Sequence, residues 1–242
     1  MNSNILRTIL ILVVLLTAAI FWVSNRPNQI EATGLTYNLK YLEKTLNSND
    51  SYNELPMLIM FHGAGDTPEN FLSWYDDFKI PVRLIVFQGP FDYGRGYTWS
   101  GKNGVEDTVS VAQSIHASIS ELLDRYPTKG KPVVFGFSRG AILAYYLAIS
   151  SEQYSYVVPV SGYLDKQLLP LEDAQYYEFA EIVAFHGTQD QIIPITRDRN
   201  SIQSLQMLNI KASLDEYASN HLPNDKMYQD IKTRITELLS NL

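Results

Sequence analysis

Hydrophobic positions along the chain fall into short continuous runs that alternate with longer segments of helical periodicity. The runs predict buried strands, because a strand covered on both faces is apolar along its whole length. The predicted strands are an edge strand at Leu35–Leu42, then Leu55–Phe61, Val82–Phe87, Pro132–Phe135, Tyr156–Val160, Ile182–Phe185 and Lys211–Tyr217. The predicted helices are Pro68–Phe78, Val105–Tyr126, the apolar segment after Gly140, Ile195–Leu208 and Met227–Leu239. This alternation predicts an α/β domain with a mostly parallel sheet that helices cover on both faces.

The sequence Gly136-Phe137-Ser138-Arg139-Gly140 lies between a predicted strand and an apolar predicted helix. A G-x-S-x-G motif in this setting is typical of a nucleophile elbow, a turn so sharp that only glycine fits on either side of the serine. The serine hydroxyl then lies outside the sheet, above the N-terminus of the helix. Ser138 is therefore the candidate nucleophile.

A serine hydroxyl is a poor nucleophile at neutral pH and needs a base within hydrogen-bond distance. The chain has four histidines. His62 and His116 precede the serine, and His186 opens a loop at a strand end. Only His221 follows both the serine and all the candidate acids considered below, on the loop between the last strand and the last helix. The chain order serine, acid, histidine of α/β hydrolases therefore predicts His221 as the base.

Asp190 is the predicted acid, because it follows Ile182–Phe185, the second predicted strand after the elbow strand. Such a carboxylate holds the imidazole in one tautomer and stabilises the imidazolium. Asp165 follows the preceding strand and is an alternative acid. Asp198 lies inside a predicted helix, which is a less suitable position.

Acyl transfer also requires hydrogen-bond donors for the developing oxyanion. The residue after the nucleophile, Arg139, supplies one backbone N–H. The candidate for the second is Ala64, in the loop that begins with His62-Gly63 and is called the His-Gly loop below. His62 is then expected to brace that loop. The histidines lack the spacing of a metal site, such as H-E-x-x-H, and we expect no metal and no cofactor.

Four sequence blocks occur in order along the chain: His62-Gly63-x-Gly65-Asp66-Thr67, Gly136-Phe137-Ser138-x-Gly140, Ser161-Gly162-Tyr163-Leu164 and His186-Gly187-Thr188-x-Asp190-x-x-x-Pro194. Together they resemble the phospholipase/carboxylesterase group of α/β hydrolases, which includes acyl-protein thioesterases and small bacterial carboxylesterases. The likeness runs from about Leu55 to His221. The resemblance implies the α/β-hydrolase fold and an esterase or thioesterase with Ser138, Asp190 and His221 as triad and Ala64 and Arg139 as oxyanion donors.

The sequence departs from that group at three positions near the motifs. The group usually has Gln after the serine and a second Gly after the motif, where this chain has Arg139 and Ala141. The base is usually preceded by Gly, and here Asn220 precedes it. These differences leave the predicted triad in place and bear on the substrate.

Composition argues against one class of partner and excludes cysteine chemistry. A net charge of −7, a pI near 5.1 and the lack of a Lys/Arg cluster argue against nucleic acid as a partner. The absence of cysteine excludes disulfides, thiolate catalysis and Cys-ligated zinc. A chain of 242 residues is enough for one α/β domain of ordinary size.

The segment Ile9–Val23 is apolar, without charge over 15 residues, with Arg7 before it and Arg26 after it. Its length lies between a signal-peptide core and a membrane span. Because bulky residues continue past the small Ala18 and Ala19, we expect an uncleaved membrane anchor, with a cleaved signal peptide as the alternative. The preceding positive charge places the domain outside the cytoplasm. We therefore divide the chain into an anchor and linker, residues 1–28, and a hydrolase domain, residues 29–242.

The segment from Tyr163 to Glu181 is too short for a large lid domain, so an open site is expected. Tyr97 and Trp99, with Tyr93, are candidates to line it for acyl or aryl groups, or alternatively pack their loop. Arg95 or Arg139 could attract an anionic group, although surface arginines are commonly just solvated. We expect a serine esterase acting on a small or acylated ester. The alternatives are a serine peptidase, a polyester or feruloyl esterase, and an inactive binding protein of the same fold.

Overall fold

The computed structural model describes residues 28–29, 37–48, 53–169 and 178–242. The predicted anchor Ile9–Val23 and most of the linker that follows it lie outside the described residues. No helix within the described ranges combines the length and the apolar character that crossing a membrane requires.

The described residues form an eight-stranded sheet and a separate two-stranded hairpin. The strands are β1 (Asn28–Gln29), β2 (Lys40–Leu46), β3 (Met57–Phe61), β4 (Val82–Phe87), β5 (Phe91–Tyr93), β6 (Gly96–Thr98), β7 (Val133–Phe137), β8 (Tyr156–Val160), β9 (Glu181–Gly187) and β10 (Ala212–Tyr217). The order in the large sheet is β1-β2-β4-β3-β7-β8-β9-β10. In this sheet the six strands β4, β3, β7, β8, β9 and β10 are parallel to one another. At the edge, β2 pairs antiparallel with both β4 and β1. The predicted mostly parallel sheet is confirmed.

Five α-helices in the described residues cover both faces of the sheet. They are α1 (Pro68–Tyr75), α2 (Val105–Arg125), α3 (Arg139–Ser150), α4 (Ile195–Met207) and α5 (Asp225–Ser240). Helices α2, α3 and α4 pack on one face, and α1 and α5 pack on the other. In α5 the buried Met227, Ile231 and Ile235 recur every four residues, so one apolar stripe faces the strands. Both faces of the central strands are consequently buried, as their continuous apolar runs require.

The main correction concerns the segment Gln88–Gly104, where no strand or helix is predicted from the sequence. Its centre is the hairpin β5–β6, which turns at Gly94 with a φ of +63°. Each strand has only three residues, too few for an alternating pattern to be read from the sequence. The other predicted elements are present, with ends shifted by a few residues.

Between β8 and β9 the described residues contain one short 3₁₀ helix, Lys166–Leu168, and no inserted domain. Residues 170–177 of this connection lie outside the described residues. The fold class predicted from the sequence, without a large lid, agrees with this arrangement.

Candidate active site

The loops that carry the candidate residues all follow strands of the parallel part of the sheet. The His-Gly loop follows β3, the elbow follows β7, and Asp190 and His221 follow β9 and β10. The carboxyl ends of parallel strands lie at one edge of a sheet, which is where open α/β sheets place their sites. Residues from four distant parts of the chain are thereby gathered at this edge.

The turn between β7 and α3 holds Ser138 in a backbone conformation that side chains rarely adopt, with φ 53° and ψ −113°. A Cβ on Gly136 would lie 2.3 Å from the Gly140 carbonyl oxygen, and one on Gly140 would lie 2.1 Å from the Phe61 carbonyl oxygen. Any side chain at these positions would therefore collide with backbone. The two glycines let the turn close against β3, and the elbow predicted from the sequence has this steric basis.

The three side chains predicted as a triad meet at this edge. His221 Nε2 lies 2.9 Å from Ser138 Oγ, and His221 Nδ1 lies 2.7 Å from Asp190 Oδ2. Asp190 accepts at Oδ2, so Nδ1 carries the proton and Nε2 is free to accept the proton of the serine hydroxyl. The geometry suits proton transfer from serine to histidine.

The carboxylate of Asp190 has a side chain with no solvent exposure, yet it is held in its ionised form. Oδ1 accepts hydrogen bonds from the backbone N–H groups of Ile192 at 2.8 Å and Ile193 at 2.9 Å. Burial is the largest single influence on the pKa of Asp190 and raises it. The hydrogen bond from His221 and the two backbone donors together outweigh burial and hold the pKa below its usual value.

The predicted oxyanion donors lie on either side of the serine. Arg139 is the first residue of α3, and Ala64 lies in the His-Gly loop beside the elbow, where a Cβ on Gly63 would be 3.6 Å from Ser138 Cβ. Within the described residues, neither the Ala64 nor the Arg139 backbone N–H has a hydrogen-bond acceptor. Two free donors beside a serine hydroxyl are what an oxyanion requires.

Three residues fix the His-Gly loop. His62 is buried, accepts the Gly89 N–H at Nε2 and donates from Nδ1 to the Gly63 carbonyl, and burial lowers its pKa. Trp99 Nε1 donates to the His62 carbonyl at 2.7 Å. Tyr97 pairs through its backbone with the loop, accepting from Gly65 N–H and donating to the Asp66 carbonyl, each at 2.9 Å. His62 therefore braces the loop, as predicted.

Ser161 and Gly187 contact the backbone of the loop that carries His221. Ser161, which has a φ of 52°, donates from Oγ to the His221 carbonyl at 2.8 Å. A Cβ on Gly187 would lie 2.2 Å from the Asn220 carbonyl oxygen, so β9 approaches this loop as closely as backbone allows. The sequence analysis noted Ser161 only as part of a motif and missed this contact.

The alternative acids do not reach His221. Asp165 caps the 3₁₀ helix and accepts the Gln167 N–H at 3.0 Å. Asp198 is buried in α4 and contacts His186, which the sequence analysis did not use. His116 lies away from the site against Tyr154 and Ser150, and burial lowers its pKa to about 4.

The predicted substrate-binding residues divide between surface and core. Trp99 is only 1% exposed and packs edge-on against Phe61, so it supports the loop and offers little surface to a ligand. This position matches the alternative that the aromatic side chains pack their loop, and a substrate contact of Tyr97 or Trp99 stays a prediction. Tyr97 is half-buried, whereas Tyr93 is 58% exposed. Arg139 donates from its side chain to Ser100 Oγ at 2.7 Å, and Arg95 is exposed.

Within the described ranges, no three or more His, Asp or Glu side chains are arranged so that they could hold a metal ion. The arrangement brings together a serine hydroxyl, an imidazole, a carboxylate and two backbone N–H donors. These are the parts that acyl transfer through a covalent intermediate needs.

Comparison with known proteins identifies the family. The sequence profile described as phospholipase/carboxylesterase matches residues 96–239, more than half of the chain. A comparison with curated proteins gave no significant match.

Solved structures of esterases share the fold. The Bacillus cereus carboxylesterase is 14% identical, with 83% of this chain and 94% of that chain covered and a TM-score of 0.70. Zea mays acyl-protein thioesterase 2 is 18% identical, with 82% and 99% covered and a TM-score of 0.64. Est1E from Butyrivibrio proteoclasticus is 12% identical, with 89% and 100% covered and a TM-score of 0.65. The chain therefore belongs to the phospholipase/carboxylesterase family, a family of carboxylic ester hydrolases with the α/β-hydrolase fold.

Proposed function

We propose that the protein is a serine esterase or thioesterase that cleaves its substrate through an acyl-enzyme intermediate. The observation that carries this proposal is the position of one imidazole, His221, within hydrogen-bond distance of both Ser138 Oγ and Asp190 Oδ2. The two free backbone donors beside the serine support it further.

In the first half of the reaction, Ser138 Oγ attacks the carbonyl carbon while His221 Nε2 takes the hydroxyl proton. The carbonyl oxygen becomes an oxyanion that accepts from the N–H groups of Ala64 and Arg139. Collapse of this intermediate breaks the bond to the alcohol or thiol, which leaves with the proton from His221. The acyl group remains on Ser138 as an ester.

In the second half, water attacks the acyl-enzyme, and His221 accepts one proton from that water. The second tetrahedral intermediate uses the same two donors. Its collapse returns the proton to Ser138 Oγ and releases the carboxylic acid. Asp190 stays ionised throughout and stabilises the imidazolium formed in each half.

The surface near the site favours an ester with an apolar group. Ile192 lies two residues after Asp190 and is 72% exposed, and Leu222 directly follows His221 and is 56% exposed. Tyr93, near the His-Gly loop, is 58% exposed. Exposed apolar side chains that adjoin site residues offer contacts for an apolar part of a substrate. An acyl chain or an aryl alcohol is the corresponding substrate part.

The experiment combines covalent labelling with a substrate panel. A fluorophosphonate probe is expected to label the wild type and the control Ser73→Ala, an exposed serine on α1, and to leave Ser138→Ala unlabelled. The wild type should hydrolyse p-nitrophenyl esters faster than aminoacyl-nitroanilides. Failure of the wild type to take up the probe would favour a binding protein, and a preference for the nitroanilides would favour a peptidase.

We further propose that the apolar segment Ile9–Val23 tethers the domain to a membrane, on its outer side. The support is the charge-free run after Arg7. The full chain should then sediment with membranes and require detergent for release, while a variant lacking residues 1–28 should stay in the supernatant. A freely soluble mature form that lacks these residues would instead indicate a cleaved signal peptide.

A further inference from the structure

A second imidazole lies behind the acid of the proposed triad. His186, at the end of β9, is fully buried, and its Nε2 lies 3.2 Å from Asp190 Oδ2. The same oxygen accepts the hydrogen bond from His221 Nδ1 at 2.7 Å. One carboxylate oxygen is therefore faced by two histidine rings, and only one of them reaches the serine.

The hydrogen bonds of His186 fix which nitrogen carries the proton nearest Asp190. Nε2 lies 2.9 Å from the Ile193 carbonyl, which can only accept, so Nε2 carries a proton. That N–H donates to the Ile193 carbonyl, and the same nitrogen lies 3.2 Å from Asp190 Oδ2, an electrostatic contact. His186 thus presents a positive edge to the carboxylate.

The other side of the ring is held by a buried polar pair. His186 Nδ1 lies 2.7 Å from Asp198 Oδ2, and Tyr145 on α3 donates its hydroxyl proton to Asp198 Oδ1. Burial is the largest influence on the pKa of His186 and lowers it, but the contacts with Asp198 outweigh burial and raise it. Burial raises the pKa of Asp198. One proton accordingly lies between two buried groups that form a neutral pair overall.

The third carboxylate beside His186 is neutralised by an ion pair. Glu216 lies beside it in register on β10 and forms a bidentate ion pair with Arg199 of α4 at 2.6 and 2.7 Å. The titratable groups that face the ring are therefore Asp190, Asp198 and Glu216. Tyr145 reaches the ring through Asp198, and His221 reaches it through Asp190.

We propose that His186 is a positioning residue for Asp190, and that Asp198 and Tyr145 hold its ring in the required orientation. The proposal rests on the proposed function, because positioning matters only if Asp190 serves His221. The two backbone donors fix Oδ1, and the positive Nε2 edge of His186, 3.2 Å from Oδ2, attracts that oxygen and favours one orientation of the carboxylate.

Two substitutions separate the contacts of the ring. His186→Gln places an amide N–H near the position of Nε2 and keeps a donor toward Asp190. His186→Asn places its amide near Nδ1, keeps the contact with Asp198 and loses that donor. The matched control is His116→Gln, which replaces a histidine that bonds Tyr154 and Ser150 far from the site.

We expect His186→Asn to lower kcat about 10- to 100-fold with little change in KM, because a misplaced catalytic group typically costs this much. The acidic limb of its pH–rate profile should move to higher pH, because a carboxylate without the nearby N–H favours the imidazolium more strongly. His186→Gln should recover most of the activity. The His116→Gln control should keep the wild-type kcat and profile.

A second readout does not depend on turnover. The proton between His221 Nδ1 and Asp190 Oδ2 is expected to give a low-field proton NMR resonance, which should shift in His186→Asn and stay in place in His116→Gln. If His186→Asn does not fold, Asp198→Asn, which frees the ring to turn, should move the same resonance.

The outcomes distinguish the two proposals. If the wild type hydrolyses no ester, the proposed function is wrong. The NMR resonance would still show whether His186 acts on Asp190. An unmoved resonance and a pH profile equal to that of the wild type, in a folded variant, would show that His186 only fills the core.

Discussion

Asp190→Asn is expected to fold as the wild type does and to lose about four orders of magnitude in kcat, the size of the loss in serine proteases with the same substitution. The wild-type carboxylate accepts three hydrogen bonds, lies 3.2 Å from His186 Nε2 and donates none. An asparagine has one accepting oxygen and one donating NH₂ group. The orientation of that amide therefore decides the activity of the variant.

The local backbone fixes this orientation. Ile192 and Ile193 both donate N–H groups to Oδ1, so the amide oxygen must occupy that position. The NH₂ group is then directed at His221 Nδ1, which has to accept, and the ring proton moves to Nε2. A protonated Nε2 cannot take the proton of Ser138, and the serine loses its base.

The measurement is kcat for a p-nitrophenyl ester alongside thermal unfolding of each variant. Asp165→Asn is the matched control, because Asp165 is the alternative acid in sequence and caps a 3₁₀ helix in the structure. It should retain activity close to that of the wild type. The opposite result, a normal Asp190→Asn and an inactive Asp165→Asn, would contradict the proposed triad.

Gly140→Ala is expected to destabilise the fold severely, by more than about 4 kcal/mol in the free energy of unfolding, since the clash is with backbone that cannot move aside. The added Cβ would lie 2.1 Å from the Phe61 carbonyl oxygen and 2.7 Å from that of His62. Relief requires α3 to move away from β3, which would also displace Ser138 and the His-Gly loop. Activity and stability should therefore fall together.

Urea unfolding of Gly140→Ala and Gly94→Ala makes the comparison. Gly94 has a φ of +63° and no neighbouring atom within 4 Å of an added Cβ, so its substitution should cost only about 1–2 kcal/mol from backbone strain. Similar losses in the two variants would mean that the elbow tolerates a side chain and that its glycines have no steric role.

Much of the fold followed from local patterns. The continuous apolar runs of β3, β4, β7 and β8 predicted strands buried on both faces, because no other arrangement leaves every position of a strand apolar. The elbow was predictable because its constraint is local: two glycines and a serine between a strand and a helix. The hairpin β5–β6 was not, because three-residue strands carry too few positions to show a period.

The candidate site was predictable only in part. Chain order singled out His221, and the structure places it against Ser138 and Asp190, while the catalytic role of all three stays a prediction. Trp99 has an aromatic side chain suited to either core or ligand, and only packing places it in the core. Packing also decides the surroundings of His186, because α3 and α4 bring Tyr145 and Asp198 to its ring.

Residues close together in the chain were enough to predict most strands and helices, the position of the sharp turn and the family that the motifs resemble. The tertiary structure decided which carboxylate meets His221, how the His-Gly loop is held and which side chains surround Asp190. These contacts join residues tens of positions apart, and their distances are set by how helices pack on the sheet.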